Sequence, residues 1–169
     1  RLFKRLDAAH LNGLSVALGV AATHAVVAAL FGDTAGLAAV GGAVCASMPD
    51  VPNPPQRVLP RVLPAVAAAA LVTLGVGLAD GSLVATVALI AVVAFLSLMT
   101  LAWGPRAGPL SFSPVLAMVF AMAWDRTAGA ASPVEHAAWV GLGGCVYAGW
   151  ARGSAVLLRY RLRALALAG

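Results

Sequence analysis

The sequence predicts an all-α, polytopic membrane protein: six transmembrane helices paired as three hairpins, with both termini on the cytoplasmic side. Three observations predict it. Only 10% of the 169 residues are charged and 62% are hydrophobic, whereas a soluble domain carries roughly a quarter charged residues to clothe its surface. The charges fall between long apolar stretches. Basic residues favour alternate loops, as retention of Lys and Arg on the cytoplasmic side requires. Other classes are excluded by the same figures. The apolar content excludes disorder. Cys45 and Cys145 each lie in an apolar run and make no disulfide scaffold. The net charge of +5 rests on 11 basic residues scattered along the chain, which form no phosphate-tracking groove, so nucleic acid is excluded as a partner.

Taken in order, the uncharged intervals place spans at about 11–31, 35–48, 62–79, 83–103, 110–124 and 137–158, all within one domain covering residues 1–169. Crossing a ~30 Å hydrocarbon core takes roughly 20 apolar residues. The first and fourth spans meet this, the third just meets it, and the second, fifth and sixth are short unless their ends are buried in protein. Inner segments then hold Arg1, Lys4 and Arg5, next Arg57 and Arg61, next Arg106, and finally Arg152, Arg159, Arg161 and Arg163. Outer segments hold only Arg126, together with Asp33, Asp80, Asp125 and Glu135. Removing one span would set basic loops on opposite sides, so the charges support the count independently.

The loops read as follows. Gly32-Asp33-Thr34 and Asp80-Gly81-Ser82 are tight turns, making spans one and two, and three and four, antiparallel neighbours. The inner loop Pro49-Asp50-Val51-Pro52-Asn53-Pro54-Pro55 is stiffened by its prolines. Trp103, Trp124, Trp139 and Trp150 are expected near span ends as interfacial anchors. No signal peptide is visible, the chain opens on Arg1, and Arg152–Gly169 reads as a helix leading toward a cytoplasmic region beyond residue 169. Ten Arg against one Lys, with abundant Ala and Gly, suggest a GC-rich bacterial genome.

No His/Cys/Glu cluster has metal-ligand spacing, and there is no Gly-x-Ser-x-Gly elbow, carboxylate pair or phosphate-cradling glycine loop. The chain is therefore read as no enzyme, with no cofactor and no metal. Three features remain. His24 lies mid-span on a face with Ala17, Ala21 and Ala28, a face suited to close helix packing. It reads either as a neutral imidazole bonded across an interface or as a proton-coupling residue. Second, the short second and fifth spans carry Gly36, Gly41 and Gly42, and Gly108, Pro109 and Pro114. Split 3+3, these occupy equivalent places with opposite topology, as inverted repeats do, although tight packing alone also explains the small residues. Third, Ser113-Pro114 fits an N-cap and first-turn proline, so the fifth helix is expected to start there. Its free amides, with Arg106, Ser111, Phe112 and Ser113 nearby, could then hold a carboxylate. Arg106 is equally readable as a positive-inside residue in a turn, and Arg57 and Arg61 as orienting charges.

The stretch Gly42-Ala43-Val44-Cys45-Ala46-Ser47-Met48-Pro49-Asp50-Val51-Pro52, with the prolines and arginines that follow, resembles the N-terminal membrane module of the fusaric-acid-resistance-like (FUSC) family of aromatic acid exporters. The first two hairpin turns and Ser113-Pro114 agree with it. The resemblance implies six helices in three hairpins, a homo-oligomer with a dimer favoured, and a periplasmic adaptor for some members. It implies structural or gating roles for Asp50 and Pro52, and no catalytic residue. Function on this basis is export of small organic, foremost aromatic carboxylic, acids across the bacterial inner membrane. A passive organic-anion channel and a non-transporting membrane anchor or assembly subunit are the alternatives.

Overall fold

The computed structural model describes residues 8–50, 55–102, 104, 108–124 and 132–167, with the side chains of Ala8, Ala9, Leu11, Pro55 and residues 158–167 excepted. Six helices form: α1 (Ala8–Phe31), α2 (Asp33–Ser47), α3 (Val58–Ala79), α4 (Leu83–Leu101), α5 (Gly108–Ala123) and α6 (Pro133–Leu167), with a 3-10 turn at Pro55–Arg57. There is no strand among the described residues. Asn12–Phe31, Val58–Ala79 and Leu83–Leu101 are long and apolar enough to cross a membrane. The apolar α5 is shorter. At 1.5 Å per residue, α2 and α5 are only about 22 and 24 Å long.

Local chemistry sets the helix ends. Gly32 and Gly81 adopt φ of 94° and 84°, a left-handed region that glycine enters without steric cost, and each lets the chain reverse between two helices. The Ser82 hydroxyl accepts from the Ala85 amide at 3.3 Å and caps α4. Ser132 likewise accepts from the Glu135 amide at 3.2 Å, with Pro133 as the first residue of α6. The sixth helix therefore begins ahead of the expected residue 137, and it runs past the expected span end near 158 to Leu167, in keeping with a helical stretch from Arg152. The expected start of the fifth helix at Ser113 is also corrected. α5 begins at Gly108 and keeps Pro114 inside it. The Ser113 hydroxyl donates to the Ala65 carbonyl of α3 at 3.4 Å instead of capping its own helix, a role open to it because Pro114 sits beyond the first turn.

Contacts fix the helix directions. Tight turns make α1 and α2, and α3 and α4, antiparallel. Gly144 lies against Val66, Gly141 against Ala70 and Gly77 against Pro133, so α6 runs against α3. Ser113 reaches Ala65 while Met118 and Ala121 pack with Val76, so α5 runs alongside α3. Direction thus alternates along the chain. One end of the bundle carries the Gly32 and Gly81 turns and the beginning of α6; the other carries Asp50, Arg57 and Gly108.

The helix pairs have an internal correspondence. Exchanging α1, α2, α3 for α4, α5, α6 carries every observed helix contact onto another observed contact, with one exception. α2 packs on α3, whereas no Cα of α5 comes within 8 Å of one in α6 among the described residues. At the centre Cys45, Ala69, Ala117 and Val140 meet, one residue from each of α2, α3, α5 and α6. α4 lies at the periphery with only Val93 and Ser97 buried, and its exposed Leu, Val and Phe side chains need an apolar surrounding.

Candidate functional site

The missing contact between α5 and α6 leaves a cavity of about 280 Å³ beside α2. Leu37, Val40 and Gly41 of α2 face Ala117, Phe120 and Ala121 of α5 across it. Thr73 of α3 and His136 of α6 supply polar groups, and Cys45 and Val140 lie toward the central four-helix contact. Trp124, just past α5, reaches across to His136 with ring centroids 4.4 Å apart and the planes at 48°. The exposed members of the lining, Leu37, Phe120 and Ala123, lie toward the turn-bearing end. A small apolar chamber with a few polar groups suits a compact organic ligand of about one ring, since small-molecule pockets start at roughly 300 Å³.

The residues singled out from the sequence do not gather there. His24 lies outside this chamber, on the α1 face toward α2, where its Nδ1 is buried near Gly36 without a hydrogen-bond partner. It borders a separate, open apolar groove of about 510 Å³ between α1 and α2. Ala17 and Ala21 line that groove and stay exposed, so close packing on this face is confined to Ala28 against Gly36, a correction to the expected small-residue seam. Ser111 and Ser113 spend their hydroxyls on the carbonyls of Gly108, at 2.6 Å, and Ala65. Phe112 is exposed on the outside of α5. Arg57 is exposed and Arg61 half-buried, and neither lines the chamber. Arg106 and Pro52 lie outside the described residues. A carboxylate site on a helix start at Ser113 is therefore not formed, because that residue is inside α5.

Trp124 lies just past the end of α5, near a helix end as expected, whereas Trp150 does not. Trp150 lies within α6, covers Gly19 and donates its Nε1–H to the Ser15 carbonyl at 2.9 Å. Trp139 packs its ring on Phe31 at 4.9 Å. These two side chains stitch α6 to α1, which is a packing role. Trp103 lies outside the described residues.

Sequence reasoning missed Tyr147. Its hydroxyl donates to Asp50 Oδ2 at 2.7 Å, and Asn12 Nδ2 donates to the Asp50 carbonyl at 3.3 Å, joining α1, the end of α2 and α6. Tyr147 is the largest fully buried side chain among the described residues, and a buried phenol needs a partner for its O–H. That need is legible in the sequence, but the partner, 97 positions away, is not. Burial pushes the Asp50 carboxyl above its ordinary 3.8, and the Tyr147 bond opposes the shift without cancelling it. A folded value above the unfolded one means that the folded state holds the proton more tightly. The stability linked to this group is fully present below 3.8 and is lost as pH rises through the raised folded value. Thermal unfolding in detergent should accordingly show a falling Tm across that window in the wild type and a flatter profile in Asp50→Asn. Identical profiles would remove Asp50 as the cause.

No group of three His, Cys, Asp or Glu that could hold a metal ion occurs among the described residues. Cys45 is buried and Cys145 exposed, both as free thiols. No protein-family model, curated protein or solved structure matches the chain. The FUSC resemblance therefore rests on the residues around Asp50 that carry it.

Proposed function

We propose that this chain is a six-span membrane module that exports small organic acids, foremost aromatic carboxylic acids, across a bacterial inner membrane. The observation that carries the proposal is the chamber between the two short helices, lined by Phe120, Trp124 and His136 among aliphatic side chains. Alternating helix directions, apolar exposed faces and the correspondence of the two three-helix halves support six crossings with a ligand site near the interface of the halves. The positive-inside rule puts the Asp50 end in the cytoplasm. In this reading the protein works as a homo-oligomer, with a dimer favoured, and a periplasmic adaptor is a further proposed partner. The core packed between the chamber and the Asp50 end favours a transporter over an open anion channel, because it interrupts a continuous path.

Efflux of radiolabelled aromatic carboxylates from proteoliposomes tests this. The expected result is saturable efflux, competed by unlabelled acid. Efflux of no tested acid above the rate of protein-free vesicles would sink the proposal. A voltage-driven current that never saturates would replace it with the channel.

A further inference from the structure

Two triangles of mutually touching helices can be traced, joined to each other along the extended α3–α6 seam. In one, α1, α2 and α6 all touch; in the other, α3, α4 and α5 all touch. Each has its own core: Val27, Ala35, Ala39 and Trp139 in the first, Val76, Val93, Met118 and Ala121 in the second. Internal ties are specific, with Trp150 bonded to Ser15 and Asp50 to Tyr147 and Asn12 in the first, and Ser113 to Ala65 in the second. The exchange of chain halves turns one triangle into the other.

Between the triangles the packing is unequal. At the Asp50 end, Ala43 and Ala46 of α2 and Tyr147 of α6 close against Val58, Val62 and Val66 of α3. At the turn-bearing end, the corresponding contact of α5 with α6 is absent, and its place holds the chamber. The packing is therefore unequal under the exchange of halves.

We infer that the α1–α2–α6 and α3–α4–α5 triangles rock against each other as rigid bodies about the Cys45, Ala69, Ala117 and Val140 centre, closing α5 on α6 as α2 parts from α3. The structure is the arrangement closed at the Asp50 end. The second arrangement collapses the present chamber and opens its counterpart toward Asp50. Only the purpose of this motion rests on the transport reading; the motion itself is argued from the unequal packing of the two ends.

Pairs of spin labels on exposed positions measure it in the full chain in nanodiscs. Met122 and Val134 report the α5–α6 separation, Met48 and Leu63 the α2–α3 separation, and Leu18 and Leu142 lie within one triangle. Val62→Ala hollows the closed seam and Ala46→Leu wedges it; either weakens the packing at the Asp50 end. In the variant that folds, we expect the Met122–Val134 distance to shorten and the Met48–Leu63 distance to lengthen in the same fraction of molecules. That fraction should rise at least ~10-fold over the wild type, as loss of 1.4 kcal/mol from one state gives. The Leu18–Leu142 distance should stay fixed. Distances that do not move, move in the same sense, or move within the triangle overturn the inference. Labels that shift without any acid efflux leave the rocking in place and remove the transport reading. Efflux with immobile labels does the reverse.

Discussion

Replacing Gly42 by alanine is expected to break the seam between α2 and α6, lowering stability by about 3 kcal/mol, the upper end for an overpacked core. A Cβ at Gly42 falls on the Val140 carbonyl, and one at Gly143 falls on the Ala39 carbonyl. Both obstacles are backbone, so no rotamer change relieves them, and the helices must separate. Small residues at such crossings supply the close van der Waals contact that drives helix association in lipid, where no hydrophobic force between helices is available. Gly41→Ala is the control. Its Cβ meets only Phe120 Cδ2 at 3.7 Å, an ordinary contact. Both substitutions gain the same ~1 kcal/mol of helix propensity, so their difference isolates the clash. Circular dichroism melts of the two variants in one detergent measure it, and equal Tm values would refute the crossing. Gly42→Ala/Gly143→Ala should cost less than the sum of the single changes, since both act on one crossing.

The second expected result concerns function. Gly41→Leu projects an aliphatic side chain into the chamber, and efflux of aromatic carboxylates should fall at least ~10-fold, the usual effect of altering a snug apolar pocket. Its melting temperature should stay near that of Gly41→Ala, because Gly41 faces the chamber whereas Gly42 faces α6. Wild-type efflux in Gly41→Leu, with the protein folded, would take the chamber out of the transport path. Neighbouring glycines thus separate folding from function.

Reading these roles from sequence is possible only where the signal is local. The two hairpin turns were legible because Gly32 and Asp80-Gly81-Ser82 act within a few residues. The start of α5 was not, although the chain offers two Ser-Pro pairs for comparison. Ser132-Pro133 is followed by Glu135, completing the Ser-x-x-Glu pattern of a helix start. Ser113-Pro114 has Leu116 at that place and lies mid-helix, where α3 can take up its hydroxyl. His24 was legible as a costly residue, but the side of α1 it faces depends on how α2 docks. The chamber is bounded by α2, α3, α5 and α6 where α5 and α6 do not meet, and no residue string encodes a contact that is not made. The division of Gly41 from Gly42 depends equally on where α5 and α6 stand.

The short length of α2 and α5 has a consequence for the lipid itself. A helix of about 22–24 Å cannot match a ~30 Å hydrocarbon layer. If α2 and α5 cross as proposed, the neighbouring bilayer pinches inward or water enters above the helix ends. In the six-span reading, either response would fall beside the chamber that α2 and α5 line, leaving less oil between it and water than elsewhere in the membrane. Under the proposed export of acids, bilayer thickness then becomes part of the barrier to a charged carboxylate, and lipids with longer chains would raise that barrier without altering a single side chain.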